Sequence, residues 1–72
     1  MITVYTKPGC VACDATKRKM DDLGIEYTPE DLMSSPAVLQ MAREQGITSA
    51  PVVDTGTAVW GGYKPDMIRT LV

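Results

Sequence analysis

Two cysteines separated by two residues are the side chains of this sequence best suited to covalent redox chemistry. They stand at Cys10 and Cys13 in the run Cys-Val-Ala-Cys, and the 72 residues contain no further cysteine and no histidine. On a helix, side chains three residues apart share one face, with Cβ atoms about 5–6 Å apart. A disulfide joins Cα atoms roughly 4.4–6.8 Å apart, so the spacing fits a reversible Cys10–Cys13 bond.

A disulfide between such close neighbours would stabilise the fold only weakly. In the chain-entropy model a loop this short contributes about 2 kcal/mol, against about 4.7 kcal/mol for a loop of a hundred residues. Two cysteines without a secretory leader also indicate a reducing cytoplasm, where disulfides are usually transient and catalytic. We therefore predict a cytoplasmic protein with a redox-active pair, and a structural staple is the weaker alternative.

A metal site is the second interpretation of the pair. One Cys-x-x-Cys run supplies half of a tetrahedral zinc site, and the chain has no second pair and no histidine to complete it. Small copper chaperones also carry this run after a first strand, but they end in a β-α-β order and place a methionine before the first cysteine. Pro8 and Gly9 stand at that place here. We predict no metal and no other cofactor, and a metal-binding module remains the alternative.

The elements around the pair predict where it lies. A β-branched and aromatic run predicts a first strand over 2–5, a Pro-Gly turn follows, and a helix begins at or just after Cys10. Gly24 is the predicted stop of that helix. Its predicted buried face comprises Cys13, Thr16, Met20 and Leu23. The first cysteine is therefore expected at the boundary between a strand and a helix.

Three strands and two helices are predicted downstream. The strands span 25–32, 52–54 and 58–61, and the helices span 36–45 and 66–71. The inward residues of these helices are predicted as Val38, Met41, Ala42, Met67, Ile68 and Leu71. Pro29 has no N–H to donate to a ladder, so the strand that contains it is predicted at a sheet edge.

The resulting order, β-α-β-α-β-β-α, predicts an α/β fold and a single domain over 1–72. The first helix connects two parallel strands, and the last two strands form an antiparallel hairpin. This arrangement resembles the minimal thioredoxin-like fold, which implies a mixed sheet in the order 2-1-3-4 with helices on both faces. In that fold the proline at the place of Pro51 is cis and faces the disulfide, so we predict a cis Ala50–Pro51 bond.

Cys10 and Cys13 are expected to have unequal roles. The first turn of a helix presents unpaired N–H groups and a partial charge of about +0.5, which stabilise a thiolate at Cys10. Cys13 lies one turn further, on the predicted buried face. We predict that Cys10 is the exposed nucleophile and that Cys13 resolves the mixed disulfide.

Several runs resemble the glutaredoxin family and, within it, the NrdH-redoxin branch. The run over 5–13, Tyr-Thr-Lys-Pro-Gly-Cys-Val-Ala-Cys, resembles the glutaredoxin opening, and Ala-Thr-Lys-Arg follows over 15–18. Ala-Pro-Val-Val over 50–53 and Trp-Gly-Gly-Tyr-Lys-Pro-Asp-Met-Ile over 60–68 resemble the branch in particular. The positions that depart from its usual serine, phenylalanine and arginine are Gly61, Tyr63 and Lys64.

The resemblance implies a thiol–disulfide oxidoreductase with thioredoxin-like activity, expected as a monomer. Members of the branch take electrons from thioredoxin reductase, which NADPH reduces, and deliver them to class Ib ribonucleotide reductase. A rim of mostly small or apolar residues is expected to receive these partners: Val11, Ala12, Ala50, Pro51, Trp60, Gly61 and Gly62. For Trp60, a core position under the last helix is the alternative.

Glutathione is the other electron source that the resemblance leaves open. Gly61 and Gly62 look like the glycine pair with which glutaredoxins approach glutathione. Glutaredoxins, however, typically carry Thr-Val before the cis proline, where Ser49 and Ala50 stand here. The run over 60–66 also belongs to the NrdH-redoxin branch. We therefore predict poor use of glutathione.

Composition argues against two classes of partner. The net charge is −2, so no broad basic surface is available to nucleic acid. The one basic run, Lys17-Arg18-Lys19, is followed by Asp21 and Asp22, which is typical of a solvated helix face. No apolar run approaches the ~20 residues of a membrane span. We predict binding neither to nucleic acid nor to a membrane.

Overall fold

The chain forms a four-stranded sheet with three helices, in the predicted order β-α-β-α-β-β-α. The computed structural model describes all residues, 1–72. The strands are β1 (Thr3–Thr6), β2 (Thr28–Asp31), β3 (Val52–Asp54) and β4 (Val59–Gly61). The helices are α1 (Val11–Asp22), α2 (Pro36–Glu44) and α3 (Pro65–Arg69), and a 3₁₀ turn at Leu32–Ser34 joins β2 to α2. None of these helices has the length and apolar composition of a membrane span.

The order of strands in the sheet is β2-β1-β3-β4, which confirms the predicted order. β1 pairs in parallel with β2 and antiparallel with β3, and β3 pairs antiparallel with β4. β2 lies at an edge and all of its residues are exposed. An edge strand tolerates Pro29 because one side of its backbone has no ladder to complete.

One face of the sheet packs against α1 and α3. Val4 lies opposite Val53, and Val53 lies opposite Trp60, so the three side chains share a face across three strands. They form one buried cluster with Met20 of α1 and Ile68 of α3. This cluster holds the helix that begins beside Cys10 firmly against the centre of the sheet.

The other face packs against α2. Val52, next to Val53 in β3, points to this side because successive strand residues alternate between faces. It is buried with Leu32 of the 3₁₀ turn and Ala42 of α2, and Tyr5 packs against the cluster. The helices therefore lie on both faces of the sheet, as the order of elements predicted.

β2 is shorter than predicted, by three residues at its start and one at its end. The N–H of Ile25 donates to the carbonyl of Met20 (2.9 Å), so Ile25 still belongs to the turn that ends α1. At the other end the Asp31 carboxylate accepts from the N–H of Met33 (3.1 Å) and caps the 3₁₀ turn. Local hydrogen bonds, not apolar content, set both ends of this strand.

One side chain of α3 faces away from the predicted direction. Ile68 is fully buried and Leu71 packs against the same cluster, but Met67 is 37% exposed. Successive residues on a helix point about 100° apart, and the orientation of the short helix α3 places Ile68 against the core and Met67 at its margin. The prediction of an inward Met67 is wrong.

Ile68→Ala should lower the free energy of unfolding by about 2–5 kcal/mol, because it leaves a cavity in the core beneath Trp60. Met67→Ala, one residue away and largely outside the core, should cost about 1 kcal/mol or less. Urea unfolding followed by the fluorescence of the single tryptophan measures both. Equal losses in the two variants would contradict the assigned faces of α3.

Candidate active site

The two cysteines lie where the loop after β1 enters α1. Cys10 is the N-cap residue, with an extended backbone (φ −101°, ψ 106°), and its Sγ accepts a hydrogen bond from the N–H of Cys13 at 3.0 Å. The Cα atoms are 5.2 Å apart and the sulfurs form a disulfide. The pairing expected from the spacing is present, and the sulfur of Cys10 occupies the capping position of the helix.

The two sulfurs differ in their access to solvent. Cys13 is 1% exposed, whereas Cys10 is only partly buried and the neighbouring Val11 is 82% exposed. Behind Cys13, Thr16 is fully buried and its hydroxyl donates to the carbonyl of Ala12 at 2.8 Å. Cys10 is therefore more accessible from solvent than Cys13.

A cis peptide bond joins Ala50 to Pro51, as predicted. Pro51 is buried, and its carbonyl oxygen accepts a hydrogen bond from the N–H of Gly62 at 2.9 Å. Gly62 has φ +80°, a left-handed backbone that other residues rarely adopt. This hydrogen bond connects the loop after β4 to the cis proline.

Gly61 allows β4 to lie close to the loop that precedes the cis bond. A Cβ at this position would overlap the side chain of Ile47 and lie 2.9 Å from the carbonyl oxygen of Ser49. Real Cβ atoms do not approach other atoms so closely, so a larger residue would displace the loop and with it Ala50. Ile47 thus occupies the space that a serine side chain would need at position 61.

Trp60 lies in the core and not on the surface. It is 4% exposed and packs with Val4, Val53 and Ile68, because its side chain points to the face of the sheet opposite that of Gly61. Its indole Nε1 is buried without a hydrogen-bond partner. The burial of Trp60 does not agree with its predicted place in the docking rim. It agrees with the alternative, a core position under the last helix.

A charged groove of about 470 Å³ opens beside Cys10. Its charged lining residues are Lys7, Asp14, Lys17, Glu30 and Asp31. Glu30 and Asp31 are not among the site residues expected from the sequence. The predicted parallel pairing of β1 with β2 could have indicated their position. This pairing sets Tyr5 opposite Glu30 and Thr6 opposite Asp31, and the chain continues from β1 toward Cys10.

The acidic and sulfur-bearing side chains do not converge into a metal centre. No group of three or more histidine, cysteine, aspartate or glutamate side chains lies close enough to hold an ion. The sulfurs of Cys10 and Cys13 are bonded to one another in the disulfide. The chemistry of the site is that of sulfur–sulfur exchange.

Comparison with known proteins agrees with this chemistry. Residues 2–59 match the glutaredoxin family. The chain belongs to the glutaredoxin family. It is 40% identical over 70 residues to the glutaredoxin-like protein NrdH of Escherichia coli K12, covering 97% of this chain and 86% of that protein. The glutaredoxin-like protein NrdH of Salmonella typhimurium LT2 is 41% identical over 70 residues, which again cover 97% of this chain and 86% of that protein.

The solved structure of E. coli NrdH-redoxin superposes with a TM-score of 0.88, at 39% identity, covering 99% of this chain and 93% of that chain. That protein is described as glutaredoxin-like with a thioredoxin-like activity profile. The thioredoxin-like fold and the NrdH-redoxin resemblance are both confirmed by these matches. As a member of this family the protein is a thiol–disulfide oxidoreductase that works through a redox-active disulfide.

Gly61→Ala should destabilise the protein by about 1–3 kcal/mol, because the added methyl overlaps Ile47 and crowds the Ser49 carbonyl. Ile47→Ala in the same chain should recover part of that loss, since it removes the atoms that overlap. A double-mutant cycle in urea measures the coupling between the two positions. Additive losses would show that Gly61 and Ile47 do not restrict one another.

Proposed function

We propose that this protein is a dithiol electron donor that passes electrons from NADPH and thioredoxin reductase to class Ib ribonucleotide reductase. The observation that carries the proposal is the geometry of the pair. Cys10 caps α1 and accepts the N–H of Cys13 at 3.0 Å, while Cys13 is 1% exposed. In the reduced protein, this geometry would leave the Cys10 sulfur accessible and stabilised as a thiolate, and would keep the Cys13 thiol buried until the first has reacted.

The first step is nucleophilic attack by the Cys10 thiolate on a sulfur of the partner's disulfide. The N–H of Cys13 and the N-terminal end of α1 stabilise the thiolate, because they present donors and positive potential to the sulfur. A bond forms between Cys10 and the attacked sulfur. The partner's other sulfur leaves as a thiolate and takes a proton from solvent.

The second step is attack by Cys13 on the sulfur of Cys10. The Cys13 thiol loses its proton, forms the Cys10–Cys13 disulfide and releases the partner's second sulfur, which is protonated. The partner gains two electrons and two protons, and the protein is left oxidised. No histidine exists to accept the proton of Cys13, so water or a carboxylate serves. Thioredoxin reductase would complete the cycle by reducing the Cys10–Cys13 disulfide back to the dithiol.

A small-residue surface next to Cys10 supports close approach by another protein. Val11 is 82% exposed, and Ala12, Ala50 and Gly62 are partly exposed. Such side chains let a partner's backbone come near the sulfur, and Val11 adds an apolar contact. We include these residues, with Pro51 and Gly61 behind them, in the proposed docking rim.

The choice of partners rests on the branch to which the chain belongs, and redox balance sets a condition on that choice. The run over 60–68 resembles the branch's signature, and the E. coli relative is described as having a thioredoxin-like activity profile. Known dithiol donors have reduction potentials from about −270 mV to about −200 mV, and 30 mV corresponds to about 1.4 kcal/mol for two electrons. A donor refilled by thioredoxin reductase should lie toward the reducing end of that range.

Cys10→Ser should abolish disulfide reduction, because the attacking sulfur is gone. Cys13→Ser should instead accumulate a mixed disulfide between Cys10 and the partner, since no thiol remains to resolve it. Non-reducing electrophoresis and mass spectrometry of each variant with a disulfide substrate give the result. If Cys13 is the first to be alkylated in the reduced wild-type protein at neutral pH, the two roles are reversed.

Reconstitution tests the partners. NADPH, thioredoxin reductase, this protein and a class Ib ribonucleotide reductase should form deoxyribonucleotides faster than the same mixture with the Cys10→Ser variant. Equal rates would overturn the assignment to ribonucleotide reductase. Replacing thioredoxin reductase by glutathione and glutathione reductase should give much slower turnover, and a comparable rate would instead favour a glutathione-dependent glutaredoxin.

A further inference from the structure

The core contains one hydroxyl, that of Thr16, close behind the redox-active pair. Thr16 is 0% exposed, and it is the only serine, threonine or tyrosine that the fold buries. The buried residues of α1 are Cys13, Thr16 and Met20, so the hydroxyl lies one turn from the second sulfur on the same face of the helix. Side chains at this spacing have Cβ atoms about 5–6 Å apart, which lets a hydroxyl and a thiol approach one another.

The stability of α1 does not account for a threonine at this position. Burial of a hydroxyl costs free energy that an alanine or a valine would not cost. The hydroxyl of Thr16 donates to the carbonyl of Ala12 at 2.8 Å, and a bond of this kind to the carbonyl one turn back slightly destabilises a helix. The position of this hydroxyl therefore points to a role outside the packing of the helix.

The oxygen of Thr16 can accept a hydrogen bond that the disulfide form does not supply. A hydroxyl has one hydrogen and two lone pairs, and the hydrogen of Thr16 is already donated to Ala12. In the disulfide the sulfur of Cys13 carries no hydrogen. Reduction creates a thiol at Cys13, which is only 1% exposed, and a buried donor needs an acceptor. Thr16 supplies that acceptor one turn away.

We propose that, in the reduced protein, the oxygen of Thr16 accepts a hydrogen bond from the Cys13 thiol and thereby sets the reduction potential of the Cys10–Cys13 pair. The bond exists only while Cys13 carries a hydrogen, so it stabilises the dithiol and leaves the disulfide unaffected. Thr16 touches no partner and acts through Cys13, which makes it a positioning residue. The inference rests on the proposed function, because a more stable dithiol is easier for a reductase to regenerate.

Equilibration with dithiothreitol measures this effect without any natural partner. The protein dithiol and oxidised dithiothreitol exchange two electrons and two protons, which gives the protein disulfide and reduced dithiothreitol. At a fixed ratio of reduced to oxidised dithiothreitol, Thr16→Val should lower the ratio of protein dithiol to disulfide by about two- to fivefold, the size expected of one S–H···O bond. Thr16→Ala should lower it alike, whereas Thr16→Ser retains the oxygen and should restore most of the wild-type ratio.

Met20→Leu is the matched control for a change in packing. Met20 is 0% exposed on the same face of α1, and the exchange of methionine for leucine nearly conserves volume. This variant should leave the ratio of dithiol to disulfide unchanged. Urea unfolding of each oxidised variant checks that the fold is intact.

Infrared spectroscopy detects the hydrogen bond itself. Cys10→Ala leaves Cys13 as the only thiol, because the chain has two cysteines. The S–H stretching band of this variant should move to higher frequency when Thr16→Val is added, since a hydrogen bond weakens the S–H bond of the donor. Adding Met20→Leu instead should leave the band in place.

An unchanged or higher ratio of dithiol to disulfide in Thr16→Val would overturn the inference while leaving the reductase intact. Equal changes in Thr16→Val and Met20→Leu would also overturn it, because they would assign the effect to packing. The same conclusion follows if Thr16→Val does not move the S–H band. A wild-type protein that forms no Cys10–Cys13 disulfide in equilibrium with dithiothreitol would instead contradict the proposed function, and the inference with it.

Discussion

The redox chemistry that we propose depends on one hydrogen bond, from the N–H of Cys13 to the sulfur of Cys10. A helix of any sequence has unpaired N–H groups in its first turn, and an N-cap side chain normally supplies an oxygen to one of them. Here a sulfur takes that place. In the cycle that we propose, the contact that caps α1 would therefore also stabilise the Cys10 thiolate, so that one sulfur atom would serve both the helix and the reaction. Because Cys13 supplies the N–H and also the second sulfur, the spacing of the pair serves both purposes.

The sheet determines what surrounds that atom. Val4, Val53 and Trp60 hold α1 on one face, and this packing fixes the axis along which the helix end points. On the other face, the absence of a side chain at Gly61 lets the loop of Ile47 descend onto β4. The cis proline is held by the burial of its own ring and by the hydrogen bond that its carbonyl oxygen accepts from the loop after β4. A site of small residues is thus kept open by large residues packed elsewhere.

The sequence predicts most of this fold because its patterns are local and strong. The strand order followed from the thioredoxin-like sequence of elements, and the edge position expected for Pro29 agreed with it. The position of Cys10 followed from a Pro-Gly turn after an apolar strand. What it missed depends on geometry between elements. The burial of Trp60 requires knowing which face of β4 looks toward α3, and a three-residue strand carries too short an alternation to decide that. Likewise, the 3₁₀ turn at Met33 depends on the carboxylate of Asp31, whereas the residues around it resemble the continuation of a strand.

The exposed edge strand β2 affects both the fold and the site. A parallel edge strand offers unpaired backbone groups to other chains, and native proteins protect such edges with proline and charge. β2 has both, in the sequence Thr-Pro-Glu-Asp. Its strand is parallel to β1, so its acidic end comes beside the start of α1 and forms one wall of the groove at Cys10. The residues that keep the edge from pairing with another strand thus also set the charge next to the reactive sulfur. Asp31 does so while its carboxylate caps the turn that presents Met33. Protection of the edge, shape of the turn and electrostatics of the site therefore meet in one four-residue strand, and a change at Asp31 would alter all three together.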